Sequence, residues 1–367
     1  MKEEYIGFDP SLLDGDHSFL SEELLVPWCN HTDTIRVNMV DSHLVQSVVL
    51  NKPEKPKAFT GYEKQIGKYS SSYKTADVDL TIVKIAKKHK KRRMYIMVDL
   101  KTKIIYITDI PSCRNITEYY GYKIIDQLKA KKEGDTVAKG DGIFSCPSYD
   151  ENYNFSYGIN LKAIFLAFKG LTYEDAIVIS ESGAKKFETT TVKEIKVTLN
   201  TNDVLINLYG NDEDYRGYPR VGEEIKNGVL CARRRIVNES ILHDFSYEKM
   251  NEIEPNLDDV FYIEGTIVDI EVFSNADAAD LKKNDSYQIL DTIQNNSNHY
   301  KEIVSTIEEL KSEGYTLSED ASFIYKRAMN MINDETSFCT DNGKTDFDNV
   351  IIKFMVECKR SLKPGDY

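Results

Sequence analysis

The sequence predicts a β-rich, mixed α+β chain with one helical insertion, and three observations lead there. Apolar and polar residues alternate with the two-residue period of a half-buried strand in several stretches between Asp77 and Asp109, and again in Phe261–Phe273. Glycine followed by an acid recurs between such stretches, the composition of tight turns. Residues 276–335 change character: Gly is scarce, and Ile303, Ile307 and Leu310 fall on one helical stripe while Ile324, Ala328 and Met331 fall on another. Both stripes are read as plain core contacts. A length of 367 residues sets an expectation of two or three domains, and 41% apolar residues exclude a wholly disordered chain.

Taken in order, residues 1–30 are mixed, with a short helix predicted near Ser18–Leu25 and an interruption at Pro27-Trp28. Thr34–Leu50 reads as helix followed by strand and sets Arg36, Asn38, Ser42, His43 and Gln46 among apolar positions. Strands follow around Val78, Leu80 and Ile82, around Met94, Ile96 and Val98, and around Ile104, Tyr106 and Thr108. Glu133–Asp141 and Val221–Gly228 carry the glycine–acid phrase, each with a second glycine six positions on, as the turns of a barrel require. Lipoyl-type domains write the same phrase. Ala163–Phe168 and Ala176–Ser180 are apolar runs, predicted to be buried strands or a strand meeting a helix. Thr190–Asn207 alternates in part. The last strand, Val350–Cys358, runs through Lys359 and Arg360 into a turn at Pro364-Gly365. So little sequence follows that this strand is expected to present an unpaired edge for another polypeptide.

Charge and motifs narrow the function. With 47 basic and 60 acidic residues the net charge is −13, which argues against a free-standing nucleic-acid binder but not against a component of one. The charge is uneven: Lys84–Arg93 holds seven Lys or Arg and no acid. Two readings stand for Lys87, Lys88, Lys90, Lys91, Arg92 and Arg93, a solvated hairpin tip or a loop facing nucleic-acid phosphates. No apolar run is long enough to span a membrane and Met1–Tyr5 opens no basic-then-apolar segment, so an intracellular protein without a membrane partner is expected. The six cysteines are spread singly, without a CxxC, and the six histidines form neither HxH nor HExxH. GxSxG, GxGxxG and GxxxxGK[ST] are missing, which removes nucleophile-elbow hydrolases, Rossmann domains and P-loop ATPases. Glu174 and Asp175 are adjacent carboxylates between two apolar runs. They are open to two readings, a loop or helix cap, or a ligand to hydrated Mg²⁺ beside a hydrogen-bond acceptor. Arg36 is a surface arginine or an anion contact. Asp346 with Asp348, and Asp77 with Asp79, share a strand face but lack a third acid, and are read as solvated strand entrances.

Read together, several segments resemble one family in chain order. Tyr5–Ser11 is similar to its opening segment, and Leu25-Val-Pro-Trp-Cys-Asn-His-Thr-Asp-Thr-Ile-Arg-Val-Asn-Met39 looks like L-[IV]-P-F-x-E-H-D-D-A-N-R-x-x-M. Thr60–Glu63, Glu133–Gly142, Gly265–Phe273 and Lys359–Asp366 match further pieces. The most specific is Asn160–Glu181, close to N-x-x-V-A-F-M-P-W-x-G-Y-N-F-E-D-[AS]-I-[LV]-[IV]-S-E. The chain resembles the C-terminal half of the β subunit of multisubunit bacterial-type DNA-directed RNA polymerase, in a divergent, split version as expected of a large phage.

The resemblance implies a hybrid-binding region over 1–155 and a catalytic-barrel part with the acidic pair over 156–190. A flap or wall follows over 191–275, a helical insertion over 276–345, and a return strand of a partial double-psi β-barrel over 346–367. It implies a nucleotidyltransferase subunit, inactive alone, located in the cytoplasm of a bacterial host. Glu174 and Asp175 match the β acidic pair near the NTP phosphates, Asp175 reaching the second Mg²⁺ through water. The principal Mg²⁺ is held by β′ and not by this chain. Arg36 matches an arginine approaching the NTP triphosphate, where its permanent charge and fork of donors suit the task. Gln46 matches a glutamine near the RNA end of the hybrid. Implied partners are β′, template DNA, RNA, NTPs, another β fragment carrying the H-G-N-K-G motif absent here, and an atypical initiation factor. Departures are visible: N-M-Q-R-Q reads Ser42-His-Leu-Val-Gln46, P-W reads Ala167-Phe168, and the flap is short, with only Ser246–Ile253 as a trace of its tip helix. The alternative reading is a non-catalytic, β-like nucleic-acid-binding or regulatory protein.

Overall fold

The computed structural model describes residues 23–70, 72–89, 92–116, 120–150, 152, 154–172, 176–200, 202–211, 214–235, 252–274, 287–332 and 350–366. The chain divides into two compact units, one of Met1–Tyr73, Cys146–Glu188 and Ser361–Tyr367, the other of Lys74–Ser145 and Thr189–Arg360. The first unit holds the helices α1 (Thr34–Val45), α2 (Glu63–Tyr69) and α3 (Glu181–Lys186), and otherwise irregular chain joined by isolated bridges such as Glu54 with Gly158. The named strands all lie in the second unit.

One five-stranded sheet organises much of the second unit, in the order β15 (Thr316–Leu317), β4 (Ile104–Ile110), β3 (Arg92–Asp99), β2 (Leu80–His89), β8 (Thr136–Val137). Its central strand β3 buries both faces, because successive side chains point to opposite sides of a strand. Met94, Ile96 and Val98 join Ile303, Ile307 and Leu310 of α4 (Tyr287–Ser312) and Ala321 and Ala328 of α5 (Glu319–Ile332). Tyr95 and Met97 face Leu80, Ile82, Leu128, Val137 and Phe144 on the other side. The two helical stripes expected from the sequence are therefore core contacts. A smaller sheet of β1 (Lys74–Thr75), β9 (Gly142–Ser145) and β7 (Ile125–Asp126), and a hairpin of β5 (Cys113–Asn115) with β6 (Gly121–Lys123), complete this half.

A three-stranded antiparallel sheet runs β10 (Thr189–Leu199), β16 (Val350–Arg360), β14 (Thr266–Ser274). This corrects the expected free edge. β16 is the central strand, paired from Thr189↔Arg360 to Leu199↔Val350 on one side and from Thr266↔Glu357 to Ser274↔Val350 on the other. The alternation of Val350, Ile352, Phe354 and Val356 places all four in one core with Val197, Leu230 and Ile267, and Tyr218 packs edge-on to Phe354 at 5.1 Å. A bulge between Ile267 and Asp269 inserts Val268. It keeps Ile267 on the face of Ile270 and Val272 and turns Asp269 and Glu271 to the opposite face, since one extra residue exchanges the faces beyond it. At the start of β14, Gly265 has φ 150° and a Cβ there would lie 2.4 Å from the Glu357 carbonyl oxygen, so only glycine fits. β11 (Asp203–Leu205), β12 (Val229–Arg235) and β13 (Asp258–Tyr262) form a third sheet. The described sheets are open, so the structure is a mixed α+β fold without a closed barrel among the described residues.

The glycine–acid phrases share one local device. The carboxylates of Asp135, Asp141, Glu223 and Asp366 accept the backbone N–H of Lys132, Ala138, Arg220 and Lys363, three residues earlier, at 2.7 to 3.0 Å. The backbone N–H of each acid donates to the carbonyl of the same residue, and the intervening Gly134, Gly140, Gly222 and Gly365 have positive φ. Each is a turn with glycine at its third position, closed twice.

Candidate functional site

In the first unit α1 turns Val37 inward, with Asp41 and Leu44 half-buried on the same stripe. The opposite stripe carries Arg36, Met39 and His43, and Gln46 is the C-cap; all four are exposed. Arg36 and Gln46 thus sit about 15 Å apart along the helix axis, at 1.5 Å per residue. The Arg36 guanidinium is 3.9 Å from the Met39 sulfur, and no carboxylate lies within ion-pair distance of it among the described residues. A permanently charged fork of donors held at a surface in this way is available to an anion.

The segment 161–180 departs from expectation. Ala163–Phe168 and Ala176–Ser180 are neither strands nor buried: Ile164 is 81% exposed, Phe165 fully exposed and Ile177 92% exposed. The apolar pattern is that of a covered element, but the described residues supply neither cover nor ladder partners. The fold holds the segment by its ends. Glu54 accepts the Asn160 backbone N–H at 3.0 Å and its side-chain amide at 3.2 Å, and pairs with Lys186 at 3.1 Å. Those partners hold the Glu54 carboxyl below its ordinary pKa, the Asn160 N–H contributing most. Between the ends, Thr172 Oγ1 accepts the Phe168 N–H and donates to the Leu166 carbonyl, closing a turn over Lys169 and Gly170, both at positive φ. Glu174 and Asp175 lie outside the described residues.

No family model matches the chain. It is 28% identical over 240 residues to the DNA-directed RNA polymerase subunit beta of Flavobacterium psychrophilum, covering 56% of this chain and 17% of that protein. To the same subunit of Chlamydia caviae it is 30% identical over 210 residues, 55% of this chain and 15% of that one. To that of Synechococcus elongatus it is 26% identical over 222 residues, 56% and 18%. This chain is similar to part of an RNA polymerase β subunit. It spans about a sixth of the length of the curated relatives it matches.

In this β-like chain the basic run divides. Lys90 and Lys91 lie outside the described residues, and Lys87 is exposed at the end of β2. Lys88 and Arg92 are drawn inside, away from any solvated tip. Lys88 Nζ is 2.9 Å from Asp269 and 3.8 Å from Glu271, with its side chain 4% exposed. Arg92 binds both oxygens of Asp109 and reaches Asp269 at 2.7 Å. His89 Nε2 is 3.3 Å from Asp269, and Arg327 joins Glu271 at 3.2 Å. Arg93 is half-buried, 3.7 Å from Asp126 and 3.4 Å from the Lys129 carbonyl. Burial alone would raise the Asp269 pKa, but His89, Lys88 and Arg92 hold its carboxyl far below the usual range. Burial, together with Lys88 and Arg92, lowers the nearby His299 to about 4, so its ring is neutral at pH 7.

Asp269 and Glu271 are the residues that sequence reasoning missed. Their signal was present: two acids inside the otherwise apolar run Ile267–Phe273 of β14 require buried cations as partners. Among the described residues no group of three His, Cys, Asp or Glu side chains could hold a metal ion. No helix among them is long and apolar enough to cross a membrane.

Proposed function

We propose that this chain is a β fragment of a multi-chain DNA-dependent RNA polymerase, completing an active site that it does not contain in full and inactive on its own. The observation that carries the reading is the exposed apolar segment 161–180, whose text is the most specific match to the β family and whose Ile164, Phe165 and Ile177 lie uncovered. A barrel strand without its barrel has this character, and a neighbouring polypeptide bearing the H-G-N-K-G segment would cover it in a double-psi arrangement. Burying a large apolar side chain contributes about 1.5–3 kcal/mol, so several together favour such a union strongly.

Within that assembly Arg36 would engage the NTP triphosphate and Gln46 the RNA end of the hybrid. Lys87, with Lys90 and Lys91, would face nucleic-acid phosphates. Glu174 and Asp175 would stand near the second Mg²⁺, Asp175 acting through water; oxygen donors of this kind suit the ion, which when bound offsets developing phosphate charge. β′ would hold the principal ion, and template DNA, RNA, NTPs and an initiation factor complete the partners, in the cytoplasm of the cell. The reading is tested by Asp175→Ala in the reconstituted complex: nucleotide addition slows while the chains still co-purify. Unchanged elongation at limiting NTP and Mg²⁺ removes the catalytic role and leaves the non-catalytic, nucleic-acid-binding alternative.

A further inference from the structure

A groove of about 820 Å³ runs along the N-terminal half of α4 in the second unit, walled by the loop 214–221 and the end of β2. Its floor is a polar stripe of Gln288, Thr292, Asn295 and His299, spaced three or four residues apart on one helical face. The stripe runs from Gln288 to His299, about 16 Å of helix. Among the described residues two buried atoms of this stripe have no hydrogen-bond partner, Gln288 Oε1 and His299 Nδ1, although His299 is only 7% exposed. The other end of Gln288 is fixed, since its amide nitrogen donates to the Tyr218 carbonyl at 2.8 Å. Buried polar atoms are paired in nearly all folded proteins, so two orphans in one groove point to a partner outside the described residues.

We propose that this groove docks an extended polypeptide segment from another chain of the assembly. The choice of occupant follows from length and charge. About 16 Å is the reach of roughly five residues of extended chain. Neutral amide side chains both donate and accept, as a peptide backbone does. The lining sets four acids, Asp214, Asp269, Asp291 and Glu302, against four cations, Lys87, Lys88, Arg216 and Arg220, so the groove repels a polyanion as much as it attracts one. The inference rests on the multi-chain reading for the existence of a partner and on the groove for its chemistry.

The test places the photoreactive residue p-benzoylphenylalanine at the exposed position of Asn295 and irradiates the purified multi-chain complex. The expected result is a cross-link to one continuous stretch of another polypeptide. Its yield should fall about tenfold in the Asp291→Lys variant, which reverses a charge at an exposed lining position, while the thermal transition of the chain stays in place. A nuclease-sensitive adduct, an adduct confined to this chain, or no adduct in a complex that has formed overturns the docking proposal alone. If the unaltered chain purifies without partner chains, the function reading falls with it.

Discussion

Replacing Asp269 by asparagine removes the carboxylate on which Lys88, His89 and Arg92 converge, while leaving the shape of the side chain. Arg92 keeps both oxygens of Asp109, but Lys88 is left with Glu271 at 3.8 Å, nearly buried. Breaking a buried pair by removing one partner costs about 3–5 kcal/mol. Because Arg92 and Lys88 each keep one acid, about 3 kcal/mol is expected. For a unit of this size that corresponds to a fall in Tm of roughly 6–12 °C, at 2–4 °C per kcal/mol. The assay is thermal and urea unfolding of the isolated chain, with Lys88→Met alone and in the Asp269→Asn background. The two substitutions should be non-additive by at least about 1 kcal/mol, because the second removes a charge already left without its main partner. The folded pKa of Asp269 is depressed, so its contribution is complete above the ordinary carboxylate pKa and is lost only as pH falls through the folded value. The gap between the wild type and Asp269→Asn should therefore be flat from pH 6 to pH 8. A loss under about 1 kcal/mol, or additive single effects, would refute the network as a fastening between the β2–β3 hairpin and β14.

Further outcomes follow from the same geometry. His299 has its folded pKa lowered to about 4, so the unfolded chain takes up the proton first; stability should be complete above pH 6.5 and decline towards pH 4. The decline attributable to this group is about 3 kcal/mol, and His299→Leu should flatten it in urea titrations at stepped pH. Gly265→Ala forces a Cβ against the Glu357 carbonyl and should cost at least about 2 kcal/mol in chemical denaturation, whereas Gly134→Ala, at a turn with open space, should cost less. Phe165→Asp should leave the Tm of the isolated chain unchanged, because the side chain is already exposed, yet sharply reduce co-purification of partner chains.

Sequence alone determined the local features of this protein. The turns at Gly134, Gly140, Gly222 and Gly365 were legible because the two hydrogen bonds that close each of them lie within four residues. The strand text and the stripes of α4 and α5 were legible because periodicity is a property of consecutive residues. Only the tertiary structure decided what those elements meet. Lys88 and Asp269 stand 181 residues apart and Arg92 and Asp269 177 apart, so a run of cations that reads as one patch is split between surface and interior. Val350–Cys358 reads as a strand in any setting, but the ladders from β10 and β14 that make it central come from distant parts of the chain. For Ala163–Phe168 the apolar pattern is local and the cover is not: alternation states that a surface must be buried, while the partner that buries it is set by contacts no short window contains.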